Sequence, residues 1–379
     1  MSKRVVVLGA GFGGLELSTT LSEASGGEIE VTLIDKGDSF VFGFSKLDLM
    51  FGKEQPDAVR MAYADIAKPG VTVLRETVTA IDPEMRRVTT DAGTYEADAL
   101  VVALGADYDF EATPGLREAG NEFYSVAGAE RLAEVIPAFS EGHAVVGVAD
   151  APFKCPPAPS ECALLLDEAL RSRGVRDACR ISFVIPLPTP VPPSPEASAA
   201  LEAEFAERGI ELIPGRRISA LDPERSVALL DDGAELPFDL FLGVPKHRAP
   251  EVVIASGMTE DGYVLVDPAT LATRFPGVYA VGDVATAGVP KAGVFAEGAA
   301  RIVAQALLAE FAGGEPPGRH LGQGTCYIEF GSGRVGSVDI DFLSGPSRTG
   351  SFNAPSAERV AEKERFGASR RARWFGSQS

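Results

Sequence analysis

Residues 4–14 read Arg-Val-Val-Val-Leu-Gly-Ala-Gly-Phe-Gly-Gly, and the fold is decided in this stretch. A short apolar run bounded by glycine suits a strand buried on both faces of a parallel sheet. Gly9, Gly11 and Gly14 then satisfy the spacing G-x-G-x-x-G. Gly9 permits a tight turn, Gly11 lets a pyrophosphate approach the backbone, and Gly14 lets the next helix pack closely. Leu15, Leu17 and Leu21 follow at helical spacing, and a second apolar run, Val31 to Ile34, ends at Asp35. Such a unit offers free N–H groups at a helix N-terminus to a pyrophosphate and a carboxylate to a ribose diol. Gly9, Gly11, Phe12, Gly13, Gly14, Asp35 and the adjacent Lys36 are therefore the expected dinucleotide-binding residues.

Working outward, short strands fill residues 71–104 and close on Gly105. The pattern then restarts: His143 to Val148 is strand-like, 161–173 helical, and Ile181 to Ile185 strand-like again. A third apolar run, Val278 to Val281, leads into Gly282-Asp283, and an Ala-rich helix is expected over 294–311. This reads as an α/β chain with two Rossmann-like dinucleotide-binding domains, the second inserted in the first. The expected boundaries are 1–106 with 251–318, then 107–250, then a small C-terminal α+β region over 319–379. Two tracts, 151–160 (APFKCPPAPS) and 186–195 (PLPTPVPPSP), carry four and six prolines and are expected to be neither regular helix nor central strand.

Composition narrows the function classes. The 379 residues are 45% hydrophobic, which suits two or three globular domains. With 35 Lys and Arg against 54 Asp and Glu, the net charge of −19 argues against sequence-independent nucleic-acid binding. Four cysteines are too few for a secreted disulfide framework, and no Cys and His residues fall at metal-ligand spacing, so no metal site is expected. Glycines break the N-terminal apolar run, and no 18 apolar residues run together, so the chain reads as cytoplasmic.

Thr273-Arg-Phe-Pro-Gly-Val278-Tyr-Ala-Val-Gly282-Asp283 resembles the second FAD-contacting motif of the flavoproteins with two dinucleotide-binding domains. That resemblance implies FAD in the first site, with Gly282 admitting the cofactor chain and Asp283 holding a ribityl hydroxyl. It also places Gly105, Lys291 and Gly293 at the cofactor. A cation such as Lys291 before the helix over 294–311 stabilises reduced anionic flavin; an exposed lysine is the alternative. Residues 40–50 and 105–125 hold no cysteine, so the FAD is expected to be non-covalent.

The second unit departs from a nicotinamide site. Of a glycine fingerprint after His143 to Val148 only Gly147 survives, and Pro152, Pro156, Pro157 and Pro159 lack the N–H groups a pyrophosphate needs. The stretch Lys154-Cys155-Pro156-Pro157-Ala-Pro-Ser-Glu161 resembles the sulfide:quinone oxidoreductases and the flavoprotein subunit of flavocytochrome c sulfide dehydrogenases. The resemblance covers nearly the whole chain and implies a Cys155/Cys326 redox pair, with Cys326 in Gly324-Thr325-Cys326-Tyr327. A disulfide beside a flavin accepts a soft sulfur nucleophile and releases a thiolate, and Lys154 is expected to lower the Cys155 thiol pKa. Cys162 and Cys179 read as core; pairing of Cys155 with Cys162 is the alternative.

Glu161 either accepts a proton from sulfide or sits at a helix N-terminus for the dipole alone. His247 reads as a solvated turn, with proton shuttling as the alternative, and His143 and His320 have no supporting pattern. The tail over 355–373 and its basic aromatic end (Arg370, Arg371, Arg373, Trp374) read as solvated or as a subunit contact. Peripheral contact with the inner membrane face and a homodimer stay open. The function expected is FAD-dependent oxidation of sulfide or a related sulfur species, with electrons passing to a quinone or cytochrome-type acceptor. The rivals are an NAD(P)H-dependent flavoprotein of the type II NADH dehydrogenase kind and a flavin-binding redox or assembly protein without turnover.

Overall fold

The computed structural model describes residues 2–315 and 318–376. Its first sheet is parallel and five-stranded, in the order Val278–Ala280, Ala99–Val102, Lys3–Leu8, Ile29–Asp35, Val71–Arg75. Val5, Val7 and Leu8 are fully buried, as a central parallel strand covered on both faces requires. A second five-stranded parallel sheet runs Asn121–Glu122, Leu240–Val244, Gly142–Val148, Cys179–Ile185, Ile210–Pro214. The strand Val278–Ala280 thus returns to the first sheet after the whole second sheet has been built. A third, antiparallel sheet (Gln323–Gly331, Arg334–Asp341, Thr349–Ser356) follows.

Four helices position the site: α1 (Phe12–Ser25), α2 (Ala158–Ser172), α3 (Gly293–Phe311) and α4 (Glu358–Phe375). The proline tracts are less irregular than expected. Helix α2 starts inside the first tract, after Pro157 and with Pro159 in its first turn, and Pro195 opens a further helix, Pro195–Glu207. Proline's fixed φ suits a first turn, and the N–H it lacks has no partner there anyway.

The C-terminal tail is anchored at its end, while Glu358, Glu364, Arg365 and Arg371 stay in solvent. Trp374 is fully buried among Phe12, Phe40 and Phe42, with ring centroids 5.7, 5.6 and 6.3 Å away. Arg370 and Arg373 form ion pairs with Glu297 and Glu16, leaving Arg371 exposed. Burial of the Trp374 ring against three phenylalanines holds this end in place, and the two arginines beside it supply the cations that the buried carboxylates need. No helix among the described residues is long and apolar enough to cross a membrane.

Candidate active site

The first glycine turn is forced by sterics. Gly9 has φ of +96°, and a Cβ there would lie 2.4 Å from the Ala103 carbonyl oxygen; one on Gly14 would lie 1.9 Å from the Gly9 oxygen. Gly11 differs, since a Cβ there would meet nothing within 4 Å. It is the N-cap of α1 and brings no side-chain cap, so the first-turn N–H groups open onto a cleft that Gly11, Phe12 and Gly13 line. Asp35 stands behind the turn, its two oxygens accepting from the Ala10 and Gly37 N–H groups at 2.7 Å each, with a second lone pair left on each. Lys36 is exposed and does not line the cleft. Across from α1 the cleft is closed by Gly105, Gly282, Asp283, Lys291 and Gly293. An uncapped helix end, an open glycine and a half-buried acid fit the pyrophosphate and polyol of FAD.

Three lysines converge on the same cleft. Lys291 is buried rather than exposed: Nζ donates to the Asp283 carbonyl at 2.6 Å and lies 3.5 Å over the Tyr263 ring. Burial lowers its pKa to about 8. Lys154 Nζ donates to the Ala106 carbonyl and meets the Tyr108 hydroxyl, both at 2.9 Å. Lys46 was invisible in the sequence, because nothing in its short helix, Ser45–Met50, forms a motif. Its Nζ donates to the Tyr124 carbonyl at 2.7 Å, and burial and the Lys154 charge bring its pKa down to about 8. Burial pushes the Asp283 carboxyl up, against the pull of all three ammonium groups.

The cysteine loop crosses from the second sheet to the first half of the molecule. Lys154 bridges Lys291 as a parallel β-contact, and Cys155 N–H donates to the Lys291 carbonyl at 2.7 Å. Cys155 has φ of +47°, a conformation that non-glycine residues adopt rarely and at a cost. Its carbonyl takes the Ala158 N–H at 2.9 Å, and the next residue of the helix is Pro159. The α2 N-terminus therefore has one N–H consumed and one missing where a nucleotide phosphate would need both.

Cys155 and Cys326 line one cavity of about 110 Å³ together with Glu161, Gly293, Lys363 and Phe366. Cys155 also faces the flavin cleft, whereas Cys326 faces an apolar cavity of about 520 Å³ walled by the proline tracts. All four cysteines are free thiols, so no disulfide joins Cys155 to Cys326 or to Cys162. Cys162 and Cys179 are buried. Burial pushes the Cys155 thiol far up, reinforced by Glu161 and Cys326 and opposed by the Ala158 N–H and Lys46. The lowering expected from Lys154 is absent because its ammonium is turned to Ala106 and Tyr108; Lys46 is the opposing cation. The Cys326 thiol is pushed up to about 12 by burial and by Glu161.

Glu161 is buried, and its Oε1 accepts the Glu329 N–H at 2.9 Å. Burial raises its pKa to about 7, with Lys363 opposing and Glu329 and Asp48 adding. Lys363 reaches in from α4 and pairs with Glu329, a contribution that no motif announced. His247 is not in a solvated turn. It is buried in the strand Lys246–Arg248 beside Tyr108, its Nδ1 2.7 Å from the Pro245 carbonyl, and burial with the Lys154 charge holds its pKa down to about 3. Held so, the ring is neutral at pH 7.

The model of the pyridine nucleotide-disulphide oxidoreductase family matches residues 3–307. The mitochondrial sulfide:quinone oxidoreductase of Dictyostelium discoideum is 24% identical over 328 residues, spanning 80% of this chain and 69% of that protein. The type II NADH:quinone oxidoreductase of Staphylococcus saprophyticus is 32% identical over 143 residues, about a third of either protein (35% and 34%). In structure, the sulfide:quinone oxidoreductase from Aquifex aeolicus superposes with a TM-score of 0.87 at 22% identity, covering 99% of this chain and 93% of that one. The cleft, the two sheets and these likenesses agree: the chain is an FAD-binding oxidoreductase that belongs to the pyridine nucleotide-disulphide oxidoreductase family.

Proposed function

We propose that this flavoprotein oxidises sulfide, or a related small sulfur species, through Cys155 and Cys326 and passes the electrons to a quinone or cytochrome-type acceptor. One observation carries the reading: two thiols from distant parts of the chain line a single cavity with a buried carboxylate, and one of them also faces the flavin cleft. The free thiols are then the reduced form of a redox pair. In the oxidised form, HS⁻ attacks the Cys326 sulfur, the Cys155–Cys326 bond breaks, and the products are a Cys326 persulfide and a Cys155 thiolate. Bound FAD supplies a two-electron acceptor at this point.

The chain's own residues do the rest. The apolar cavity delivers sulfur species to Cys326 and keeps bulk water from the persulfide. Glu161, with a pKa of about 7, takes the proton that H₂S sheds as it becomes the nucleophile. Lys46 and Lys291 offset negative charge arriving in the cleft.

NADH oxidation is the second reading, favoured by the local likeness to the type II NADH:quinone oxidoreductase. The prolines at the start of α2 oppose it. Anaerobic addition of sulfide is expected to bleach the flavin absorbance at about 450 nm, and NADH is expected to leave it unchanged. Rapid bleaching by NADH and none by sulfide would reverse the assignment. Steady-state assays pairing each donor with a soluble quinone and with cytochrome c then identify the acceptor.

A further inference from the structure

Glu16 on α1 and Glu297 on α3 are buried carboxylates, each with a side chain 1% exposed. They belong to the two helices whose N-terminal turns line the flavin cleft, α1 through Phe12 and Gly13 and α3 through Gly293 and Ala296. The helices meet there closely: a Cβ on Gly293 would lie 2.7 Å from the Phe12 ring, and one on Gly13 3.7 Å from the Ala296 oxygen. Glu16 and Glu297 repel each other, and among the described residues their only partner from the same two helices is Arg301, at 2.7 and 3.1 Å. Every other described partner comes from α4. Arg370 reaches Glu297 at 3.0 Å, Arg373 reaches Glu16 at 3.1 Å, and Trp374 Nε1 donates to Glu16 at 2.8 Å. The same indole packs against Phe12 of the glycine turn, and earlier on α4 Lys363 and Phe366 wall the thiol cavity.

We propose that α4 is a strap that governs FAD retention: Arg370, Arg373 and Trp374 clamp Glu16 and Glu297 and so hold the N-termini of α1 and α3 together around the cofactor. A buried carboxylate left without its cation is strongly unfavourable, whereas two neutral partners in the same place are not. With the strap detached, two like charges share one arginine and drive apart the helices that grip the pyrophosphate. Arg370, Arg373 and Trp374 are positioning residues in this account, since they act on FAD through Glu16, Glu297 and Phe12.

The test measures the rate of FAD release from the holoenzyme by flavin fluorescence, alongside the melting temperature of the FAD-free protein. R370Q/R373Q is expected to release FAD about tenfold faster or more, since it leaves both carboxylates under-paired. Adding E16Q/E297Q to that variant is expected to restore release to within about threefold of the parent by removing the repulsion. Trp374→Phe, which keeps the ring against Phe12 but loses the N–H, is expected to fall between. A merely structural helix would change the melting temperature and leave release at low temperature alone, and that result overturns the proposal. Faster release that E16Q/E297Q does not correct overturns it as well. If R370Q/R373Q fails to fold, the four-fold variant decides: folded with FAD retained supports the strap, and FAD lost or no fold refutes it.

Discussion

After Lys3–Leu8 the chain turns through Gly9 to Gly11 into α1; after Gly142–Val148 it turns through Ala149 to Pro157 into α2. Both turns leave the C-terminal end of a central parallel strand and enter a helix, the place where doubly wound folds bind ligands. In the first, small residues keep the helix N–H groups free and the backbone low. In the second, prolines delete N–H groups, Cys155 takes one of the remainder, and the loop reaches over to Lys291. The same backbone theme thus makes an anion cradle in one place and carries a thiol to the edge of the flavin cleft in the other. A fold supplies the position, and side chains choose what stands there, open N–H groups in one turn and a thiol in the other.

The contrast fails most visibly at the cysteine. Cys155→Ser is expected to slow sulfide-dependent flavin reduction by about 10³-fold or more while the bound FAD spectrum is kept, because without its sulfur the proposed redox pair cannot form, and loss of one member of a unit costs about that much. Stopped-flow reduction at fixed sulfide checks it, and retention of more than a tenth of the parent rate, a bound set by that scale, would break the comparison. Glu161→Gln is expected to lower turnover about 10²-fold and to flatten the rise of rate through about pH 7. The sign on stability is opposite. Glu161 has a folded-state pKa above its ordinary value of 4.5, so ionising it weakens the fold as pH rises from there through about 7. Glu161→Gln is expected to gain stability relative to the parent above that window in thermal melts.

Smaller effects sharpen the first turn. Gly14→Ala drives a Cβ into the Gly9 carbonyl and is expected to cost about 3 kcal/mol or more, with loss of FAD. Gly11→Ala meets no protein atom and is expected to leave the melting temperature of the FAD-free protein unchanged while weakening FAD about tenfold. Equal effects of the two alanines on FAD-free stability would show that Gly11 is structural after all. Smallest of all, Lys46→Met is expected to slow Cys155 alkylation at a fixed alkaline pH by raising the thiol pKa further, while Lys154→Met slows it less, in line with which cation opposes the burial cost.

Sequence alone determined what depends on local backbone chemistry. Glycines at 9, 11 and 14, an acid at 35 and Gly282-Asp283 specify a turn and a helix end wherever they occur after a buried strand, because sterics and missing side chains act within a few residues. Prolines around Cys155 likewise take N–H groups out of the second turn, since a deleted N–H is a property of the residue itself. Tertiary structure alone decided which charges meet. It turned Lys154 away from the thiol and brought Lys46 toward it, buried His247 beside two tyrosines, and folded a charged tail onto Glu16 and Glu297. Electrostatic partnership and burial are sums over neighbours from distant parts of the chain, and no spacing along the sequence encodes them.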